Sequence, residues 1–229
     1  MDILIELPVE KWPLLQTKLR KLWPLNLPGY YALHVNLKYP KVREAFKFKV
    51  YCPHGDMDYG FVSINEKVNI TDYLFFTKMY LQCSRNHSVI RTPYLINNHS
   101  CNKIRPADIA RVNDTWSFKY SFSHTYFTTL ASNGLSYGLY SSETDALLAW
   151  IFINEYNFLC HLYCEEQHRR LGYGEYVMKC AVNDLLKEGH DVYGYVVDGN
   201  KKPLAIFQKF GFKAVDDAFW PKIFKISPL

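Results

Sequence analysis

The stretch Leu162-Tyr163-Cys164-Glu165-Glu166-Gln167-His168-Arg169-Arg170-Leu171-Gly172-Tyr173-Gly174 decides the fold. An apolar strand, Phe158 to Cys164, runs into a loop holding two glycines. A helical pattern, Leu171 to Lys187, follows at once. Gly172 and Gly174 let a ligand approach the backbone closely. The first amides of the next helix point outward with partial positive charge and form an anion site suited to phosphate or pyrophosphate. Arg169 and Arg170 add full charges beside it. A Rossmann fingerprint needs a third glycine at position 177, which is Val, and the G-K-[ST] of a P-loop is absent.

Working outward, Asp191 to Val197 reads as a strand and Pro203 to Phe210 as a short helix. Gly211-Phe212 opens a last strand. Upstream, Tyr137 to Tyr140 and Leu147 to Ile153 read as strands split by the turn Ser141-Ser142-Glu143. A second turn, Asn154 to Tyr156, precedes the strand that enters the loop. Pro106 to Asn113 looks helical. The order gives an α/β sandwich on a mixed sheet. In the first hundred residues, Glu10 to Trp23 reads as an amphipathic helix. Tyr30 to Leu37 and Lys47 to Tyr51, rich in aromatic and β-branched residues, read as strands. Asp72 to Gln82 reads as a helix. The polar stretch Asn97-Asn98-His99-Ser100 suggests a boundary, dividing the chain into 1–102 and 103–229.

Composition excludes several classes. Of the 229 residues, 48% are apolar and 21% charged, which is enough apolar surface to exclude wholesale disorder. A net charge of +5 is too small to argue a nucleic-acid partner, and it equally suits an anionic small molecule. The longest apolar run, Ala146 to Ile153, falls well short of the roughly 20 residues that span a bilayer. The N-terminal Met1-Asp-Ile-Leu-Ile-Glu6 lacks the basic region of a secretory or transit signal. A cytoplasmic protein without membrane association is expected. The six cysteines form no C-x-x-C pair, so no metal is expected and the thiols read as reduced.

The pattern R-x-x-G-x-G between strand and helix resembles the acetyl-CoA motif of the GNAT superfamily of N-acyltransferases. A second match lies downstream, where Asn200-Lys-Lys-Pro203-Leu-Ala-Ile-Phe207-Gln-Lys209-Phe-Gly211-Phe212 is similar to the superfamily's N-x-x-A-x-x-x-Y-x-K-x-G-F. Pro203 replaces the small residue and Phe207 the tyrosine. The stretches Ile104 to Trp116, Tyr137 to Tyr140 and Leu147 to Ile151 resemble the glycine N-acyltransferase-like family. Tyr51-Cys52-Pro53 resembles its N-terminal half.

The resemblance implies an α/β (α+β) GNAT fold: a mixed, mostly antiparallel twisted sheet flanked by helices, with a degenerate GNAT-like N-terminal half. It implies acyl-CoA or acetyl-CoA as cosubstrate and a small amine or amino acid, such as glycine, as acceptor. The loop amides of Arg170, Leu171, Gly172, Tyr173, Gly174 and Glu175 would meet the CoA pyrophosphate, with the charge of Arg169 beside them. Leu162 and Cys164 would pair with the pantetheine arm. Asn200, Phe207 and Lys209 complete the CoA side, and Lys201-Lys202 meets the 3′-phosphate or solvent.

The family's glutamate base sits eleven residues before the motif arginine, where this chain has Phe158. Substitutes are Glu155 in the preceding turn, His161 on the strand, or water. A phenyl ring at 207 cannot donate a proton, leaving Tyr163, Tyr173 or water as the acid. At regular pleat His161 and Tyr163 face away from position 158, and a β-bulge would shift that parity. Cys160 and Cys164, at i and i+4, share a face at regular pleat, which leaves an acyl-cysteine intermediate open. A non-catalytic acyl-CoA-binding module is the alternative function, favoured by Phe158 and Phe207.

Overall fold

A computed structural model describes residues 3–24, 26–66, 77–83, 99–197 and 199–219. Strands β1 (Leu4–Glu6), β2 (Phe48–Pro53) and β3 (Val62–Asn65) form a small antiparallel sheet in that order. Between β1 and β2 the chain folds as helices α1 (Trp12–Leu19), α2 (Leu27–Lys38) and α3 (Pro40–Phe46). Trp12, Leu15, Leu33, Phe48 and Val50 close a core beneath this sheet.

The larger sheet has seven strands: β4 (Thr77–Cys83), β5 (His99–Asn102), β6 (Ser136–Ser141), β7 (Leu147–Ile153), β8 (Leu159–Cys164), β9 (Val192–Val197) and β10 (Phe212–Phe219). Their spatial order is β10-β4-β9-β8-β7-β6-β5. All pairs are antiparallel except β8 with β9, so the sheet is mixed and mostly antiparallel, as expected. Helices α4 (Ile109–Thr115), α5 (Ser123–Ser132), α6 (Tyr173–Lys187) and α7 (Lys201–Lys209) flank it.

Strand β7, Leu-Leu-Ala-Trp-Ile-Phe-Ile, is buried at every position, which requires cover on both faces. Helices α5 and α6 both pack on it. Along α6 the buried residues Val177, Met178, Ala181, Val182 and Leu185 recur at helical spacing, so one stripe faces the sheet. Phe127, Trp150, Phe152 and that stripe belong to one continuous core.

Three expectations from the first hundred residues are corrected. Tyr30 to Leu37 lies in helix α2, not a strand. Its buried residues Leu27, Tyr31, Ala32, Val35 and Asn36 follow a helical period, and Pro28 sits in the first turn, where proline is tolerated. Residues 77–82 of the expected helix form strand β4, while 72–76 lie outside the described residues. Pairing with β9 on one side and β10 on the other overrides local propensity there. The polar stretch ending at Ser100 is also different: His99 and Ser100 open β5, and Asn97 and Asn98 lie outside the described residues. Strands β4 and β5, which precede residue 103, thus belong to the same sheet as β6 to β10. Helices α3 and α5 and strands β1, β3 and β5 have no counterpart among the elements expected from the sequence.

Candidate active site

Strands β8 and β9 run parallel and share one registered pair, Leu159 with Gly194. Beyond it the last five residues of β8, from Cys160 to Cys164, have no registered partner on β9, and they are only partly buried. The two strands therefore fork beyond that pair. Phe207 closes the fork: its ring comes within 2.7 Å of where a Cβ on Gly194 would stand. That ring is buried and meets Phe212 edge-to-face at 4.9 Å. The absence of a side chain at 194 is what lets the ring lie on the strand.

At the open end of the fork, β8 passes through a short helical turn, Glu166–His168, into the glycine loop. Arg170 and Gly172 both adopt left-handed backbone, with φ of 66° and 82°. Nothing lies within 4 Å of a Cβ built on Gly172, so the space above the loop is open. Gly172 is the residue flanking α6, and the first N–H bonded to its carbonyl is that of Tyr176, at 2.9 Å. The amides of the turn before it have no helical acceptor and gather at one spot. The Gly174 amide reaches the Cys164 sulfur. Burial pushes the Cys164 thiol up, while Arg169 and that amide pull the other way. Arg169 stands 5.7 Å from the Tyr163 ring centroid, donates to the Cys164 carbonyl at 3.2 Å and pairs with Glu166 at 3.1 Å. Arg170 is exposed, as is Leu171.

Glu175 places a carboxylate in the first turn of α6, and Lys209 from the end of α7 neutralises it at 2.5 Å. Asn200 flanks α7, exposed and without a side-chain capping bond. Tyr173 packs against His99 of β5 and His168, with centroids at 4.8 and 5.9 Å. The amides at the start of α6 form a spot suited to an anionic group, with the fork beside it.

The bulge is present. Trp150 pairs with Tyr163 and Phe152 with Cys160, so His161 and Leu162 together oppose Ile151. His161 takes the extra length in a left-handed backbone, φ 52°. Its ring sits among Trp116, Phe127, Tyr126 and Phe152, with centroids 4.8 to 6.2 Å away. Tyr163 stacks on Trp150 at 4.6 Å. The bulge also breaks the regular alternation that would set Cys160 and Cys164 on one face. Their sulfurs approach different carbonyls, Phe152 at 3.6 Å and His168 at 3.4 Å. Phe158 packs edge-to-face on Tyr195 at 4.9 Å.

Glu155 lies in the β7–β8 turn, 4% exposed. Asn65 donates to its Oε1 at 2.9 Å, and the Tyr126 hydroxyl donates to Oε2 at 3.2 Å. Asn36 donates to its backbone carbonyl at 3.1 Å. Burial pushes the carboxyl up to about 7, against its own backbone amide and Tyr126. Glu155 and His161 are thus joined through Tyr126, whose ring lies 5.8 Å from the imidazole. The sequence pointed to both residues and missed Asn65, Tyr126 and Trp116. Their side chains arrive from elements far apart in the chain.

Residues 136–221 match the family model described as FR47-like protein. No curated protein matches the chain. Among solved structures, a Drosophila protein determined by X-ray crystallography is similar throughout. It has 16% identity and a TM-score of 0.80, covering 96% of this chain and 98% of that one. An acetyltransferase of the GNAT family from Colwellia psychrerythraea has 12% identity and a TM-score of 0.51, over 64% of this chain and 56% of its own. A GCN5-related N-acetyltransferase from Sphaerobacter thermophilus has 9% identity and a TM-score of 0.52, over 64% and 51%. The matched part of this chain thus covers about half the length of those two. The fold is the GNAT fold. Among the described residues no helix is long and apolar enough to cross a membrane.

Proposed function

We propose that this chain is an acyl-CoA-dependent N-acyltransferase, which passes an acyl group from a CoA thioester to the amine of a small acceptor such as glycine, another amino acid or an amine. The fork between β8 and β9, opening onto the Arg170–Gly172 loop, carries this reading. A cosubstrate with an anionic head and a peptide-like arm matches a cluster of helix amides beside a strand that diverges from its parallel neighbour. The glycine N-acyltransferase-like motifs from Ile104 to Ile151 support the small acceptor.

In the proposed reaction the acceptor nitrogen attacks the thioester carbonyl. The C–N bond forms, the tetrahedral intermediate collapses, and the C–S bond breaks to release CoA thiolate. Backbone donors on β8 face the developing oxyanion. The amine proton must leave. Glu155 is the proposed acceptor of it, because a carboxyl near neutrality takes protons well at neutral pH. His161, enclosed by aromatic rings, is the second candidate. Tyr163 is the proposed donor to the leaving sulfur, since Phe207 has no proton to give.

The second reading is an acyl-CoA-binding module without catalysis, favoured by the phenyl rings at 158 and 207. One experiment separates them: thiol release and calorimetric titration with a panel of acyl-CoAs and amines. Thiol release that requires both substrates supports the enzyme. Saturable CoA binding without release supports the module, and no binding overturns both.

A further inference from the structure

The fork has an end, where β8 and β9 meet at the registered pair Leu159 and Gly194. Side chains alternate along a strand, so each face of that pair is walled separately. On one face lies the Phe207 ring of α7, two of whose atoms stand 2.7 Å from where a Cβ on Gly194 would be. The Leu159 carbonyl is 3.4 Å from the same point, so ring, glycine and carbonyl crowd one spot. Phe212 backs the ring edge-to-face at 4.9 Å, and the ring is 5% exposed.

The opposite face is walled as well. Tyr193 and Tyr195 flank Gly194 on β9 and point away from the Phe207 side. Phe158, the residue before β8, packs on both, with centroids 6.1 and 4.9 Å away. Tyr31 of α2 meets Tyr193 at 6.1 Å. Straight ahead, the two strands are joined. The fork is thus closed at this end by aromatic rings on both faces and by backbone between them.

Length decides what reaches this end. The stretch of β8 from Cys160 to Cys164 spans about 16 Å. The pantetheine arm of CoA, about thirteen bonds from phosphorus to sulfur, extends to about 16 Å. An anion held by the amides at the start of α6 therefore delivers the thioester to the closed end. We propose that Phe207 sets the length of the acyl group. The donors are short-chain thioesters, acetyl- and propionyl-CoA, and a longer chain meets the ring. The proposal rests on the acyl-CoA reading of the fork. It gives Phe207 a part in specificity in place of the proton that a phenyl ring cannot supply.

The test is a series of saturated thioesters, acetyl-, propionyl-, hexanoyl- and decanoyl-CoA, on the full chain. Each is measured for calorimetric affinity and for thiol release with the amine panel. The unaltered chain should favour acetyl- and propionyl-CoA over hexanoyl-CoA by about tenfold or more in kcat/KM, or in affinity if it binds without turnover. Phe207→Ala should narrow that ratio severalfold. Phe207→Leu should narrow it less, because leucine leaves more of the space filled. Should the alanine variant not fold, the leucine variant carries the comparison. A profile of the unaltered chain that is flat from acetyl to decanoyl overturns the proposal before any variant is made. A loss shared equally by all four thioesters in a folded variant also overturns it, since the ring would then act on structure and not on length. Absence of CoA binding by the unaltered chain is a different result: it overturns the acyl-CoA reading, and this proposal with it.

Discussion

The Asn65 amide on β3 donates to Glu155 Oε1 at 2.9 Å, so the small sheet supplies a donor to the carboxyl group buried in the β7–β8 turn. Tyr126 holds the other oxygen. Neither partner is a cation, and burial therefore dominates the titration of this group.

That burial has a sign. The Glu155 carboxyl titrates near 7 in the folded chain and near 4.5 when exposed. Its contribution to stability is fully present below about 4.5 and is lost as pH rises through about 7, a swing of about 3 kcal/mol. Denaturant midpoints of the wild type should fall across this window relative to Glu155→Gln. If the glutamine variant keeps the wild-type slope, Glu155 is not its source.

His34 has the opposite sign. On α2, its ring meets His190 edge-to-face at 4.9 Å. Burial first, and then His190, push its imidazole down from 6.5 to about 4. The stability it contributes is present above about 6.5 and lost as pH falls through about 4. His34→Phe keeps a ring there and strands no partner, because Nε2 makes no hydrogen bond. The phenylalanine variant should resist acid better than the wild type, measured as thermal midpoints from pH 7 to pH 4.

Gly172 offers a test of the anion site with its own control. Its left-handed backbone strains any side chain, but the space above it is open. Asp and Asn impose that strain equally and differ in charge. Gly172→Asp should abolish the melting shift produced by CoA, while Gly172→Asn keeps part of it. Equal losses in both variants would mean that backbone strain, not charge, governs the site.

Gly194→Ala would drive a methyl group into the Phe207 ring at 2.7 Å, with the Leu159 carbonyl 3.4 Å away. Overpacking of this kind costs about 1–3 kcal/mol. Adding Phe207→Leu should recover part of the loss, read as coupling in a double-mutant cycle. Additive losses would show that the ring does not limit position 194.

What the sequence made legible was local. The glycine loop is followed directly by α6, and the run Leu147–Ile153 is a buried strand by composition, so loop and strands were found together. Helix α2 misled because Tyr30, Tyr31 and Val35 favour strands by type, although their buried neighbours are spaced as a helix. Strand β4 has no local signature that outweighs its two distant partners. In the site, Glu155 was visible as a turn carboxylate. Its perturbation was not, because Asn65 and Tyr126 lie 90 and 29 residues away in the chain. The bulge at His161 likewise depends on how Ile151 meets β8, which no residue type announces.

The insertion of β4 between β9 and β10 also sets a schedule for synthesis. Cys83 leaves the ribosome roughly a hundred residues before Val192, its partner. At 5–20 residues per second, the completed strand waits about 5–20 s for that neighbour. The other neighbour, β10, starts a further 20 residues on, at Phe212. During that interval both hydrogen-bonding edges of β4 are open to foreign strands. A nascent chain stalled before β9 should therefore be the form that chaperones hold, and the seven-stranded sheet can close only as the last strand emerges.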